Sequence, residues 1–149
     1  MWVARGGDHT FVVDTGFNAE VSSKRKRTFL RCPVETLGAF DIDANAVEDV
    51  ILTHLHYDHV GNFDRFPKAR FHLQERELAY ATGRFMRYPR LSHSFEVEDV
   101  CGIVRLNYAR RVLFYNGDAE IAPGLTIHAA GGHSAGLQFV RVRTRRGYV

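Results

Sequence analysis

The apolar run Val50-Ile51-Leu52, bounded upstream by Glu48 and Asp49, is short and continuous, which is the pattern of a buried strand. The stretches on either side divide into strand-like and helix-like patterns. Trp2 to Arg5 and Thr10 to Asp14, separated by Gly6, Gly7 and Asp8, predict a hairpin. Pro33 to Phe40 and Asp43 to Val50 read as two short helical pieces, with Asp43 as the N-cap of the second. Gly61 to Phe66 predicts a short turn or helix, Arg70 to Leu73 alternates as a strand does, and Glu75 to Ala81 has helical composition that ends near Gly83. Arg84 to Ser94 has no firm period and carries Pro89, so it predicts a loop. Val112 to Tyr115, Ala119 to Ile121 and Leu125 to Ala129 are strand-like, punctuated by Asn116-Gly117-Asp118 and Pro123-Gly124. Further on, Phe139, Val140, Val142 and Thr144 interleave with Arg141, Arg143 and Arg145, as in a strand with one exposed charged face whose basic residues guard an edge. No repeat, linker or low-complexity tract interrupts the chain, so residues 1–149 read as a single domain.

Composition narrows the class. With 45% hydrophobic and 25% charged residues, the chain reads as a soluble globular protein. No apolar run approaches membrane-spanning length, and no basic-then-apolar signal segment stands before a small-residue cleavage site, so the expected location is cytoplasmic with no membrane partner. Cys32 and Cys101 are far apart and have no C-x-x-C partner, which fits two buried thiols in a reducing compartment. The net charge of +3 and the run Lys24-Arg25-Lys26-Arg27 raise a nucleic-acid reading, but a solvated loop explains that run more simply, and no nucleic-acid partner is expected.

The chemistry is concentrated in Thr53 to Asn62, T-H-L-H-Y-D-H-V-G-N. A polar loop that happens to be rich in histidine is the plain alternative, but such tracts rarely alternate with apolar residues as this one does. In an extended segment His54 and His56, at i and i+2, project to the same side, and Asp58 and His59 follow where the chain would turn out of the strand. Imidazole and carboxylate are the ligands that borderline cations such as zinc prefer. The cluster also follows directly on the buried strand, where open α/β sheets place their ligand sites. His133, in G-G-H-S-A-G, has flanking glycines that let the backbone turn tightly and bring the ring into a site. His9, His72, His93 and His128 read as surface or hydrogen-bonded histidines. The sequence contains no G-x-S-x-G nucleophile motif.

The H-x-H-x-D-H segment from His54 to His59 resembles the signature of the metallo-β-lactamase-fold hydrolases, and two further segments match that family in order. Asp14 in F-V-V-D-T-G-F resembles the motif aspartate that ends an early strand, and His133 resembles the histidine of the later G-H-x-x-G motif. Tyr57, the Gln74-Glu75 strand exit and G-D-A-E-I-A-P-G-L look most like the N-acyl homoserine lactonases. Ala130 and Gly131 stand where family members often carry Thr-Pro.

The resemblance implies an α/β (α+β) four-layer αββα sandwich, of which this chain supplies roughly the N-terminal half. It also implies a metal held by His54, His56 and His133, and a second ion held by Asp58 and His59 with an aspartate and a histidine that the family supplies further on. Asp14 would orient the metal loop from behind, Tyr57 would line the substrate pocket, and Asp58 would be catalytic through the second ion. Two zinc ions, or other divalent metals, would generate a hydroxide that attacks a lactone or ester carbonyl, giving a quorum-quenching activity on N-acyl homoserine lactones. The alternatives are thioester hydrolysis of the glyoxalase II kind, phosphodiester hydrolysis, and a noncatalytic metal-binding module. Because the chain stops at Gly147-Tyr148-Val149 and enters a strand directly from Met1, it is expected to be truncated at the C-terminus and at the N-terminus, inactive by itself, and to expose one sheet face as a large apolar patch. The sequence does not indicate an oligomeric state.

Overall fold

Strand pairing follows the apolar runs. In the computed structural model, which describes residues 1–7 and 9–149, β1 (Trp2–Gly6) and β2 (His9–Val13) form the expected antiparallel hairpin. Asp8, expected in its turn, lies outside the described residues. β2 then pairs in parallel with β3 (Asp49–Ile51), β3 with β4 (Arg70–Gln74), and β4 with β5 (Val112–Tyr115), giving the order β1-β2-β3-β4-β5. Parallel neighbours need crossover connections, and these carry α1 (Ala19–Lys24), α2 (Tyr57–Val60), α3 (Glu75–Ala81), α4 (Pro89–Ser92) and α5 (Val97–Tyr108). The rest of the chain folds as an antiparallel second sheet, β6 (Ala119–Ala122), β7 (Leu125–Ala129), β8 (Gln138–Thr144) and β9 (Gly147–Tyr148).

Alternation along the strands sorts the apolar side chains into two cores. Val12, Val50, Phe71, Leu73 and Val112 point to the helix side, where Leu37, Val60, Phe66, Phe95 and Ile103 cover them. Phe11, Val13 and Ile51 point the other way and meet Leu125 and Ile127 of the second sheet. The layers therefore run helices, sheet, sheet. β3 is buried along its whole length, because both of its faces are covered, and this explains the unbroken apolar run.

Several expectations require correction. The helical piece predicted over Asp43 to Val50 shrinks to a 3-10 turn at Ala44–Ala46, capped by Asp43 Oδ1 accepting from Asn45 N at 2.9 Å. Val47 is already extended, and β3 claims the chain from Asp49. Arg84 to Ser94 contains two short helical turns, Arg84–Arg87 and α4, the second started by Pro89 at a position where a missing N–H costs nothing. The longest helix, α5, has no counterpart among the predicted elements. Its buried Val100 and Ile103 have helical spacing, but Gly102 and the β-branched residues hide it. Gly102 is required by packing, since a Cβ there would lie 2.1 Å from Phe63 Cζ.

The basic run is a solvated loop only in part: Lys26 and Arg27 are exposed outside the helix, whereas the other two residues are engaged. Lys24 ends α1, whose N-cap Asn18 accepts from Val21 N, and both Lys24 and Arg25 pair with Glu96. Arg25 Nε lies 2.7 Å from Glu96 Oε1, and its side chain is only 12% exposed. Among the described residues, the outer face of the second sheet is not the expected apolar patch. The outer face of β7 and β8 carries Thr126, His128, Arg141 and Arg143, with Phe139 stacked on His128, because arginines alternate with valines along β8. Part of the exposed apolar surface lines a cleft of about 490 Å³ beside Trp2, Val3, Val140, Val142 and Val149, and the rest, such as Leu30, Phe40, Val97 and Tyr108, is scattered elsewhere. Among the described residues no helix is long and apolar enough to cross a membrane. Cys32 is buried and Cys101 half-buried, and both are free thiols.

The packing of α5 gives a pH-dependent prediction. Asp99 is buried with Oδ2 lacking a hydrogen-bond partner, and burial, then the charges of Glu96 and Asp64, push its pKa up to about 6. Asp99 therefore holds its proton more tightly in the folded than in the unfolded chain. Its contribution to stability is full below its ordinary carboxylate range and is lost as the pH rises through about 6. Asp99→Asn should raise stability near pH 8 by roughly 1–2 kcal/mol, with the gain vanishing near pH 4. Thermal melts of both proteins across that range check it, and an equal gain at both ends would contradict it.

Candidate metal centre

The site begins where β3 runs out. Leu52 N still donates to His72 O at 3.1 Å, continuing the ladder, and Gln138 N donates to Thr53 O at 3.0 Å, which anchors the exit of the strand to the second sheet. His54 and His56 follow, 2% and 7% exposed, with ring centroids 4.5 Å apart. α2 starts at Tyr57, so Asp58 and His59 fall in its single turn, beside the strand exit.

His133 comes from the loop between β7 and β8. That loop is closed by Ala130 N and Gly131 N donating to Leu137 O, and it turns through Gly131 and Gly132 at φ +67° and +88°, a region that disfavours residues with a Cβ. The result brings His133 Nε2 to 3.1 Å from His56 Nδ1, with ring centroids 5.0 Å from His54 and 4.7 Å from His56. One nitrogen from each of His54, His56 and His133 lies within 4.8 Å of the others. Two of the rings are buried, and His133 is exposed, so the cluster opens to solvent on that side.

Asp14 sits behind this cluster at the end of β2. It is a buried non-glycine residue at φ +56°, with its N donating to Ile51 O. Its Oδ1 accepts from Thr53 N at 2.8 Å, the Thr53 hydroxyl donates to the same carboxylate, and Oδ2 lies 2.8 Å from His59 Nδ1. Having spent its proton on Asp14, the Thr53 hydroxyl can only accept from His54 Nδ1, 3.0 Å away. That arrangement leaves the His54 Nε2 lone pair free, and Nε2 is buried with no hydrogen-bond partner. Asp14 likewise orients His59, whose Nε2 is then directed toward Asp58 Oδ2 at 3.7 Å. Thr53 was missed in the sequence, although it directly precedes the first histidine of the motif.

The electrostatics of the rings differ. Burial, then the neighbouring His59, His56 and His133, push His54 down to about 2. Burial and then His133 push His56 down to about 4. Both are therefore neutral near pH 7, as ligating imidazoles must be. Burial also pulls His59 down, but its hydrogen bond to Asp14 and the charges of Asp14 and Asp58 outweigh it, so its pKa is raised. Three convergent imidazoles and an orphaned, buried Nε2 fit a borderline divalent cation.

Asp58 and His59 stand next to this set and outside the cluster of three, with side chains 45% and 31% exposed. Tyr57 is half-buried between the Phe17 ring, at 5.7 Å, and the Arg25 guanidinium, at 4.0 Å, and its N donates to Ser94 O. Phe95 lies edge-on to His56 at 4.7 Å. The remaining histidines lie elsewhere. His72 is buried between Asp49 and the Tyr115 hydroxyl, His128 pairs with Asp118, and His9 and His93 are exposed.

Comparison with known proteins agrees with this arrangement. An N-acyl homoserine lactonase from Bacillus sp. is 29% identical over 97 residues, which cover 65% of this chain and 33% of that protein. A quorum-quenching N-acyl homoserine lactone lactonase superposes with a TM-score of 0.77 at 22% identity, covering 98% of this chain and 56% of that one. An N-acyl homoserine lactone hydrolase with N-hexanoyl-L-homoserine bound at its catalytic metal centre superposes with a TM-score of 0.76 at 20% identity, covering 98% of this chain and 59% of that one. The chain thus spans little more than half the length of these structures, and the sheet-on-sheet arrangement with its helical layer is roughly half of their fold. Residues 1–147 match the family described as the metallo-beta-lactamase superfamily, and the chain belongs to that family.

Proposed function

We propose that this chain is the metal-binding part of a zinc-dependent hydrolase that opens N-acyl homoserine lactones. The observation that carries the reading is the convergence of His54, His56 and His133 around a buried, unpartnered Nε2. His54, His56 and His133 would hold one ion. Asp58 and His59 would begin a second position, completed by groups outside residues 1–149, which is consistent with a chain about half as long as its structural relatives. A divalent cation held there supplies Lewis acidity, polarising a carbonyl and lowering the pKa of water.

The chain's own residues supply the arrangement. Asp14 and Thr53 fix the tautomer and direction of His54 and His59, as carboxylates behind metal-bound histidines do. Phe95, edge-on to His56, covers the inner side of the cluster, while the exposed His133 side is where substrate would enter. Tyr57, braced by Arg25, would line the substrate pocket. The lactone assignment rests on the Bacillus relative and on the product held by the structural neighbour. Two free thiols fit a cytoplasmic enzyme.

Metal analysis and turnover of a homoserine lactone, a thioester and a phosphodiester, run side by side on the complete natural protein, test the proposal. Lactone opening should dominate, and preference for either other substrate would overturn the substrate class. Asp58→Asn should leave the first ion bound while second-ion occupancy and hydrolysis fall together, hydrolysis by at least about tenfold. Residues 1–149 alone should bind about one zinc per chain and show negligible lactonase activity.

Metal removal adds a pH dependence. Unfolded imidazoles take protons near pH 6.5, whereas folded His54 and His56 resist down to about 2 and about 4. Their contribution to stability is thus present above pH 6.5 and is lost as the pH falls toward those values. Melts of the chelator-treated protein should drop by several degrees between about pH 7.5 and pH 5. Because Asp99 gains stability over the same range, the comparison is made in the Asp99→Asn background, where a melting temperature that rises on acidification would contradict the neutral histidine cluster.

A further inference from the structure

Glu77 is a fully buried carboxylate on α3, and nothing in the metal chemistry above uses it. Among the described residues it forms no ion pair. Its bonds are instead to three donors on two loops. Oε1 accepts from Leu55 N at 3.0 Å, while Oε2 accepts from the Ser134 hydroxyl at 2.7 Å and from Gly136 N at 2.8 Å. Leu55 lies between His54 and His56, and Ser134 follows His133, so every histidine of the cluster adjoins a residue that Glu77 holds.

The division of labour between the two oxygens is what gives this contact its function. One oxygen serves the loop after β3 and the other serves the loop before β8, so the rigid carboxylate group sets the spacing between two segments that are distant in sequence. An ionised carboxylate suits the position because all three partners donate and it offers only lone pairs. An amide in its place would turn an NH2 group toward one of the donors. Gly136 makes the approach possible, since a Cβ there would lie 2.2 Å from Glu77 N. The glycine in the second half of G-H-S-A-G is thus explained by the need to seat this loop on α3.

We infer that Glu77 is a positioning residue that sets the distance between His133 and the His54–His56 pair, and so the zinc affinity of the three-histidine site. The inference rests on the proposed metal site and goes beyond it, because Glu77 touches neither metal nor substrate. A purely structural role would predict a less stable fold with an unaltered site once folded, whereas a positioning role predicts an altered site in a folded protein.

The test uses the complete natural protein with Glu77→Gln and Ser134→Ala, the second removing one of the three bonds while keeping the carboxylate. Zinc affinity is measured by competition with a chromophoric chelator, well below the melting temperature, and the visible spectrum of the cobalt-substituted protein is recorded. Glu77→Gln should weaken zinc binding by about tenfold or more and shift the cobalt bands. Ser134→Ala should do both to a smaller degree and keeps the question open to test if Glu77→Gln does not fold. In lactone assays at saturating zinc, kcat should fall while KM changes little. Unchanged affinity and cobalt spectra in both variants would overturn the inference, whatever their melting temperatures. If the wild type binds zinc but opens no lactone, the functional reading fails and the role of Glu77 is still decided by affinity and spectrum. A wild type that binds no zinc would overturn both.

Discussion

Bringing three imidazoles together is the constraint on which the rest of this structure depends. Ring centroids of His54, His56 and His133 lie 4.5 to 5.0 Å apart, and their nitrogens face one another. Such a cluster cannot hold itself. Protonated rings would be buried and would repel one another, which is why the pKa of His54 is strongly lowered, and neutral ones crowd lone pairs into a buried space. The protein meets this by bonding from behind: Asp14 and Thr53 hold one edge, and Glu77 holds the backbone between and beside the rings. The two carboxylates, Asp14 and Glu77, are buried acceptors satisfied by several donors, the arrangement in which a polar group can be buried without a large penalty.

The same demand shapes the sheets. β3 ends at the cluster, so its exit must not drift, and the second sheet is bonded directly to it. Gln138, 1% exposed at the start of β8, donates from Nε2 to Leu52 O and accepts at Oε1 from Gln74 Nε2, while its own N donates to Thr53 O. Gln74 in turn exchanges bonds with the Gly117 backbone. The apolar inter-sheet core gives the two sheets affinity but little directional preference, because hydrophobic burial is non-directional. The glutamine pair fixes their register at the place where the histidines must meet.

Much of this was legible in the sequence for a physical reason. His54, His56, Asp58 and His59 are close in the chain, so local geometry alone nearly determines their proximity, and β3, β5, β7 and α3 announce themselves by unbroken or strictly alternating patterns. The unread parts depend on distant partners. α5 was hidden because Gly102 answers to the Phe63 ring rather than to helix propensity. Arg25 reads as one more charge in a basic run until Glu96 and Tyr57 are placed beside it. Glu77 sits in a helix of mixed charge and has no sequence mark of burial. Asp14 was legible only through the family resemblance, and His133 through that resemblance together with the glycines beside it.

The two halves of the motif differ in how firmly they are set. His54 and His56 are buried, with Thr53 bonded to the first and Phe95 packed on the second, whereas Asp58 is nearly half exposed and touches His59 only loosely, at 3.7 Å. His59 itself is well oriented, because Asp14 bonds its Nδ1 and thereby commits its Nε2 outward. Asp14 thus serves both positions at once, through Thr53 to His54 and directly to His59. A change at Asp14 would loosen both, while a change at Asp58 reaches only one. The carboxylate at the end of β2 therefore couples the two halves of the motif, which explains why a residue so far from Thr53 in sequence is buried at the centre of its hydrogen bonds.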